Sequence, residues 1–271
     1  MLSFRTSDGG KTWASSPLGT ANTESRGAAA YVDFVDPDHG WVVVKLVSGS
    51  NFSIGNLYRT VDGGASWAKL AIPIGDPVRF TTETDGWAAG GPAGDQLYVT
   101  RDGGKSWSPV DIEPPPGFGS SFPVYGLPVF STAEEGVLPV AFAGDPSGMS
   151  FYRSADGGAS WTPAVSGAID GELSIGPRVV ASDVVDANTW IATLPGGERV
   201  LKAGGAGSAF AQVAPNGLPA GVIALDFANA QVGWAVVQTG ECPPGVKTDC
   251  AIISQLLETS DGGQTWALLV P

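Results

Sequence analysis

The amino-acid sequence predicts an all-β fold built from one repeated four-stranded unit. Glycine and proline are abundant, at 39 and 21 of 271 residues, and no long apolar stretch has helical periodicity. This composition is typical of short strands joined by many turns. All nine tryptophans lie in two short motifs that alternate along the chain, as expected for a repeat protein. We expect one domain over residues 1–271, because all-β chains of this length commonly form a single unit.

The first motif is a glycine-rich turn that precedes a tryptophan by a fixed interval, as in "RTVDGGASW" at 59–67. The aspartate can accept N–H groups within the turn, the glycines can adopt positive φ, and the Ser or Thr before the tryptophan can bond the turn backbone. The indole then offers a large apolar face for packing against the neighbouring unit. We predict structural hairpins at Asp8, Asp62, Asp102, Asp156 and Asp261, followed by Trp13, Trp67, Trp107, Trp161 and Trp266. By register a sixth copy lies at 201–210, with Gly205 in place of the aspartate and Phe210 in place of the tryptophan.

The second motif reads as strand, turn, strand and ends in Gly-Trp, as in "YVDFVDPDHGWVVV" at 31–44. Phe34 precedes Trp41 by seven residues, and the same interval recurs three times. The other pairs are Phe80 with Trp87, Phe130 with Val137, and Phe227 with Trp234. The phrase "ASDVVDANTWIATL" is less aromatic, and we expect Trp190 to keep the same register there.

Together the two motifs supply four antiparallel strands in each repeat, which is the composition of a propeller blade. Residues 1–17 supply only the outer hairpin of one blade. Five complete blades are predicted at 18–72, 73–115, 116–166, 167–217 and 218–271.

The first motif, Ser/Thr-x-Asp-x-Gly-x-Thr-Trp, resembles the Asp-box or bacterial neuraminidase repeat. That repeat occurs in sialidases, in sortilin-type receptors and in propellers like the photosystem II assembly and stability factors. The pairing of Gly-Trp strands with the boxes looks most like the last group, and the resemblance covers nearly the whole chain. It implies a β-propeller whose boxes are structural and lie on the rim, away from the central site. It does not define a function, because the same box occurs in hydrolases, receptors and assembly factors.

The closure of the propeller is left open by the opening half-blade. It is the remnant of a truncated propeller of six or more blades, or is patched by a neighbouring copy, or lies unpaired against a five-bladed body. We favour truncation, because a full last blade leaves nothing to complete the first. An exposed inner edge there would invite strand addition and edge-mediated self-association.

Charge excludes several classes of partner. A formal net charge of -13 and a pI near 4.3 oppose binding to nucleic acid or to an anionic membrane surface. No apolar run is long enough to insert into a membrane, and the start of the sequence has no signal-peptide features. We expect a protein secreted or displayed by a bacterium, with any signal peptide outside the given chain. No cofactor or metal is expected, and His39 is interpreted as a solvated turn residue.

Both cysteines, Cys242 and Cys250, lie in the Pro/Gly-rich stretch "GECPPGVKTDC". Such closeness favours a local disulfide, which persists only in an oxidising compartment. Two unpaired loop thiols are the alternative.

A candidate site is predicted where loop lengths vary. The first and third turns of each repeat are constant, whereas the second-to-third and blade-to-blade connections differ in length and share one face. Polar residues of the innermost strands and of these loops could meet a carboxylate or a sugar, although ordinary polarity of a channel lining is the alternative. The candidates for ligand binding are Arg79, Asp33, Asp226, Arg26 and Arg178.

Two function classes remain: a binding or scaffolding propeller for a protein or glycan, and a sialidase-like glycoside hydrolase. The resemblance to sialidases implies an arginine triad and a Tyr–Glu pair, but the Arg-Ile-Pro segment that supplies their first arginine is missing. Tyr125 and Glu172 could be chosen for the pair only arbitrarily. The binding class is therefore favoured. The partner of the photosystem factors does not transfer, because their arginine-rich surface is not evident in so acidic a chain.

Overall fold

The computed structural model describes residues 1–18, 27–46, 48, 52–169, 181–186, 189–193, 200–204, 207, 209–241 and 251–269. These residues form strands and turns and no helix, so they contain no helix able to cross a membrane. The chain divides into two compact units, Met1–Ile112 and Glu113–Pro271. The all-β prediction is confirmed, while a single domain over the whole chain stays a prediction.

The unit Met1–Ile112 contains a two-stranded sheet and two four-stranded antiparallel sheets with consecutive strands adjacent. The two-stranded sheet, here called the half-blade, consists of β1 Leu2–Arg5 and β2 Ala14–Pro17. Blade A consists of β3 Gly27–Phe34, β4 Gly40–Leu46, β5 Gly55–Thr60 and β6 Ala68–Leu70. Blade B consists of β7 Val78–Phe80, β8 Gly86–Gly90, β9 Gln96–Thr100 and β10 Ser108–Pro109.

The unit Glu113–Pro271 contains three further antiparallel sheets. Blade C consists of β11 Phe122–Tyr125, β12 Val129–Phe130, β13 Gly136–Ala143, β14 Gly148–Ser154 and β15 Thr162–Ala168. Blade D consists of β16 Ser182–Asp186, β17 Thr189–Thr193, β18 Val200–Ala203 and β19 Ala211–Val213. Blade E consists of β20 Val222–Phe227, β21 Gly233–Glu241, β22 Ala251–Thr259 and β23 Ala267–Leu268.

Blade C has an interrupted first strand. Both β11 and β12 pair with β13, so they are two parts of one edge strand. Pro128 lies in the interruption and has no N–H to donate to the sheet. Blade C is therefore also a four-stranded blade, and the predicted β-propeller of five complete blades plus a half-blade is confirmed for the described residues.

The five Asp boxes share one geometry, shown by the copy in blade A. Asp62 accepts the N–H of Ser66 at 2.8 Å and its hydroxyl at 2.6 Å, while the Thr60 hydroxyl donates to Asp62 and accepts the N–H of Gly64. Gly63 and Gly64 have φ of 64° and 80°. The Ser66 hydroxyl thus bonds the carboxylate rather than the turn backbone, which differs from the sequence expectation. The same pattern closes the boxes of Asp8, Asp102, Asp156 and Asp261.

In blades A, B, C and E, the tryptophan after the box makes an aromatic contact inside its own blade. Trp67 lies edge-on to Phe34, with ring centroids 6.2 Å apart. Equivalent pairs have separations of 5.8–6.1 Å: Trp107 with Phe80, Trp161 with Phe130, and Trp266 with Phe227. Trp67 also contacts the neighbouring half-blade, since its indole N–H donates to the Ser3 hydroxyl at 3.0 Å. Trp13 of the half-blade is 60% exposed.

Blades A and B are joined through the tryptophan of the Gly-Trp motif. The ring of Trp41 stacks on Phe80, with centroids 3.6 Å apart and planes inclined by 2°. Its indole N–H donates to the carbonyl of Gly103 in the Asp box of blade B. Phe34 holds the position in blade A that Phe80 holds in blade B, yet it is 43% exposed against 5% for Phe80. The difference arises because the half-blade supplies no tryptophan at that place.

The predicted register of blade D is wrong by one residue. Asp183 pairs with Ile191 as Asp33 pairs with Trp41, so Ile191 and not Trp190 takes the position of Trp41. A shift of one residue turns a side chain to the other face of a sheet. Trp190 accordingly packs toward blade C, with its ring 5.5 Å from that of Phe151.

Candidate functional site

The two kinds of connection lie on different faces of each blade. The first glycine of the Asp box donates its N–H to a carbonyl of the first turn in the same blade, as from Gly63 to Asp38 at 2.9 Å. Equivalent bonds tie Gly103 to Thr84 and Gly157 to Glu134. Within each of these blades, the constant turns therefore lie at one end of the strands, here called the turn face. The variable connections lie at the other ends of the strands and form the loop face.

Asp76 organises the loop face of the unit Met1–Ile112. Its carboxylate accepts the ammonium of Lys45 at 2.5 Å, the hydroxyl of Ser53, and the N–H of Gly91 at 2.8 Å. Asp76 is buried in the connection between β6 and β7. Its partners are Lys45 near the end of β4, Ser53 in the connection between β4 and β5, and Gly91 in the connection between β8 and β9. Tyr31 lies near this group, and burial raises the pKa of its hydroxyl. One carboxylate, which accepts three hydrogen bonds, therefore holds the described parts of these connections in blades A and B together.

Two large apolar side chains flank Ser53 in the described part of the connection between β4 and β5. Phe52 is 68% exposed and Ile54 is 45% exposed, and both lie beside Ser53, which is tied to Asp76. Exposed apolar side chains on a rigid segment are suited to contact with a protein partner. Neither residue belongs to one of the two repeated motifs of the sequence. The sequence signal that could have indicated them is the presence of two large apolar residues in the variable connection between Trp41 and Asp62.

Asp33 does not lie free on the innermost strand. Its carboxylate accepts the N–H of Phe80 at 2.6 Å, which ties β3 of blade A to β7 of blade B. Burial raises the pKa of Asp33, while the Phe80 N–H and the charge of Arg79 act in the opposite direction. This carboxylate therefore serves as a tie between blades, whatever else it contacts.

The same tie recurs between blades D and E. Asp183 accepts the N–H of Phe227 at 2.7 Å. Sequence reasoning missed Asp183, although a signal existed. An aspartate stands eight residues before Ile191, as Asp33 stands eight before Trp41.

Arg79 and Asp226 occupy the same strand position as Asp33 in their own blades. Arg79 pairs with Trp87, and Asp226 pairs with Trp234. Arg79 is half-buried, and among the described residues its guanidinium has no hydrogen bond. Asp226 is exposed on blade E. These two side chains keep polar atoms available for a ligand, in contrast to Asp33.

Several other predicted positions lie outside the described part of the chain. They are Arg26, Arg178, Glu172, Gly205, Cys242 and Cys250. The ligand-binding role of the two arginines and the disulfide stay predictions.

The long connection at 113–121 is packed against blade C. The ring of Phe118 lies 5.0 Å from that of Phe142, and the Ser121 hydroxyl donates to the carbonyl of Pro146 at 2.6 Å. The Tyr152 hydroxyl donates to the carbonyl of Glu113 at 2.9 Å. Tyr125, which sequence reasoning could nominate for a sialidase-like pair, is buried. The connection is thus held against blade C by these contacts. Separately, Tyr125 of β11 offers no exposed hydroxyl for a nucleophilic role.

Four-stranded blades closed by aspartate boxes and joined by stacked aromatics define an Asp-box β-propeller. A family model described as "Photosynthesis system II assembly factor YCF48" matches residues 19–182, and the chain belongs to this family.

One curated relative is the "Photosystem II assembly lipoprotein Ycf48" of Synechococcus sp. (strain CC9902). It is 30% identical over 163 residues, which cover 58% of this chain and 43% of the relative. The match therefore spans less than half of that protein.

Two solved structures share the fold. YCF48 from Cyanidioschyzon merolae has a TM-score of 0.50 at 18% identity, covering 90% of this chain and 85% of that chain. The GH74 enzyme of Niastella koreensis has a TM-score of 0.56 at 15% identity, covering 88% of this chain and 37% of that chain. At such identities the likeness concerns the fold alone, because one propeller fold carries both enzymes and assembly factors.

Proposed function

We propose that this protein is a non-catalytic binding and scaffolding propeller that recognises a polypeptide through its loop face. The observation that carries this proposal is membership of a family described as an assembly factor. Assembly requires contacts between proteins rather than turnover of a substrate.

The loop face supplies the geometry for such contacts. Because Asp76 fixes the loops before any partner arrives, little ordering entropy is lost on binding. Phe52 and Ile54 then provide two exposed apolar anchors, one on each side of the Ser53 that donates to Asp76.

Charge narrows the class of partner. A net charge of -13 favours a polypeptide with basic segments, since opposite charges accelerate the encounter and like charges oppose it. The name of the Synechococcus relative makes photosystem II assembly intermediates the first partner to test.

A location outside the cytoplasm belongs to the same proposal. The Synechococcus relative is named a lipoprotein, and the spacing of Cys242 and Cys250 suits a disulfide in an oxidising compartment.

The proposal is tested by binding of the purified chain to immobilised photosystem II assembly intermediates, measured by interferometry. We expect the double variant Phe52→Ala/Ile54→Ala to bind about ten-fold more weakly, because two exposed anchors are removed. Raising the salt concentration should slow association.

Val61→Ala is the matched control, since Val61 is 58% exposed and lies in an Asp box on the turn face. Equal affinity of the double variant and the control would contradict recognition through the loop face. Absence of binding in all three proteins would contradict this choice of partner.

The non-catalytic part has its own test. A panel of fluorogenic glycosides should show no turnover, and a glycan array examines the other ligand class. Turnover that disappears in Asp226→Asn would overturn the assignment as a non-enzyme.

A further inference from the structure

His39 lies between two carboxylates on the turn face, although from sequence alone a solvated turn residue is expected there. Its Nδ1 is 2.9 and 3.1 Å from the two carboxylate oxygens of Asp36, and its Nε2 is 3.4 Å from Oε2 of Glu83. Asp36 and His39 belong to the first turn of blade A, whereas Glu83 belongs to the first turn of blade B. One donor atom from each residue lies within 4.8 Å of the others.

Asp36 is held in place by the turn itself. It accepts the backbone N–H groups of Asp38 and His39, each at 2.7 Å. With Nδ1 of His39 placed against the Asp36 carboxylate as donor, Nε2 carries the lone pair and faces Glu83.

The gap between His39 and Glu83 has the size of a metal site. A lone pair on Nε2 and a carboxylate oxygen are both acceptors, so they form no hydrogen bond with each other while the imidazole is neutral. Tetrahedral zinc with bonds of about 2.0–2.2 Å places its nitrogen and oxygen ligands about 3.4 Å apart. The distance from Nε2 of His39 in blade A to Oε2 of Glu83 in blade B is also 3.4 Å.

We propose that His39 Nε2 and the Glu83 carboxylate bind a divalent transition metal of the zinc type, with Asp36 orienting the imidazole. Imidazole with one carboxylate suits zinc, copper or nickel better than magnesium or calcium. The side chains of His39 and Glu83 are 21% and 57% exposed, so water can complete the coordination. A metal here links the first turns of two blades and stabilises their packing. The site lies on the turn face and is independent of the proposed function.

The test measures zinc binding to the full chain after bound metal has been removed with a chelator. Zinc binding is measured by calorimetric titration with zinc chloride, and its effect on stability by thermal unfolding with and without zinc. We expect a saturable binding heat and a zinc-dependent rise in Tm. Glu83→Gln and His39→Gln should abolish both effects. Asp36→Asn should weaken zinc binding about 10–100-fold, as loss of an orienting carboxylate does.

Glu134→Gln is the matched control, because Glu134 is exposed in the corresponding turn of blade C. It should behave like the unsubstituted protein. Cys242 and Cys250 are alkylated in all proteins before the titration, so they contribute no zinc response. A zinc response that survives in Glu83→Gln and His39→Gln, or no saturable response in the unsubstituted protein, would overturn the proposal. Circular dichroism before titration establishes that each variant is folded.

Discussion

At the scale of single residues, the glycine of the Gly-Trp motif is explained by the ring opposite it. Phe80 pairs with Gly86 across β7 and β8, and a Cβ at Gly86 would lie 2.5 Å from the Phe80 ring. The same relation holds for Phe34 with Gly40. The backbone of these glycines is not in the left-handed region, so the requirement is for space. The motif therefore encodes a ring lying flat across its own hairpin.

Gly86→Ala should lower the free energy of unfolding by about 1–3 kcal/mol, because the added methyl group displaces the buried Phe80 ring. Urea unfolding followed by tryptophan fluorescence measures the effect. Gly119→Ala is the control, since no heavy atom lies within 4 Å of a Cβ built there. Equal stability of the two variants would show that the ring moves aside at no cost.

At the scale of the elements, blades A and B are joined by two devices, and the second recurs between blades D and E. One is the stacking of Trp41, from the second strand of blade A, on Phe80 of blade B. The other is a carboxylate that accepts the N–H of the phenylalanine in the next blade: Asp33 accepts from Phe80, and Asp183 accepts from Phe227. Both devices hold the first strand of the following blade.

Phe80→Ala should cost about 3–5 kcal/mol of stability, as is usual for a fully buried phenylalanine. Phe34→Ala should cost about half of this or less, because Phe34 is partly exposed and lacks a stacked tryptophan. Chemical denaturation of both variants under one set of conditions makes the comparison. A larger loss for Phe34→Ala would contradict the importance of the Trp41 stack.

The spacing of the motifs was enough to predict the blades, the boxes and their faces. It could not predict the register of blade D, because Trp190 continues the spacing of the other tryptophans. In the structure Asp183 pairs with Ile191, and this pairing decides which face of the sheet each side chain occupies. The site was harder still. A ligand-binding role of Asp33 stays a prediction, whereas its hydrogen bond with the N–H of Phe80 joins residues 47 positions apart and has no signal in the sequence. Contacts of this kind arise only when two blades pack together.

At the scale of the whole molecule, the five boxes make stability depend on acid. Hydrogen bonds within the box, led by that from the Ser or Thr hydroxyl, lower the pKa of each aspartate from 3.8 to about 2. A group whose pKa is lower in the folded than in the unfolded chain stabilises the fold at pH values above its unfolded-state pKa. This contribution is lost as the pH falls through its folded-state pKa. The raised pKa of Asp33 acts in the opposite sense, but it is one group against five.

The free energy of unfolding should therefore fall between about pH 4 and pH 2, with uptake of protons on unfolding. Urea midpoints measured at several pH values give the slope. Asp62→Asn should reduce this uptake by about one proton, since one of the linked groups is removed. A slope unchanged in that variant would contradict a role of the boxes in acid sensitivity.

The bonds that close each Asp box come from residues of the same box, which has a consequence for how this sequence can change in evolution. Each of the five is closed by its own side chains, so a substitution that opens one box leaves the hydrogen bonds of the other boxes in place. Blade D already illustrates this, because β18 still pairs with β19 although Phe210 stands where the other blades have tryptophan. Loss of a box is thus tolerated one blade at a time, and related sequences can carry different numbers of intact copies without losing the architecture.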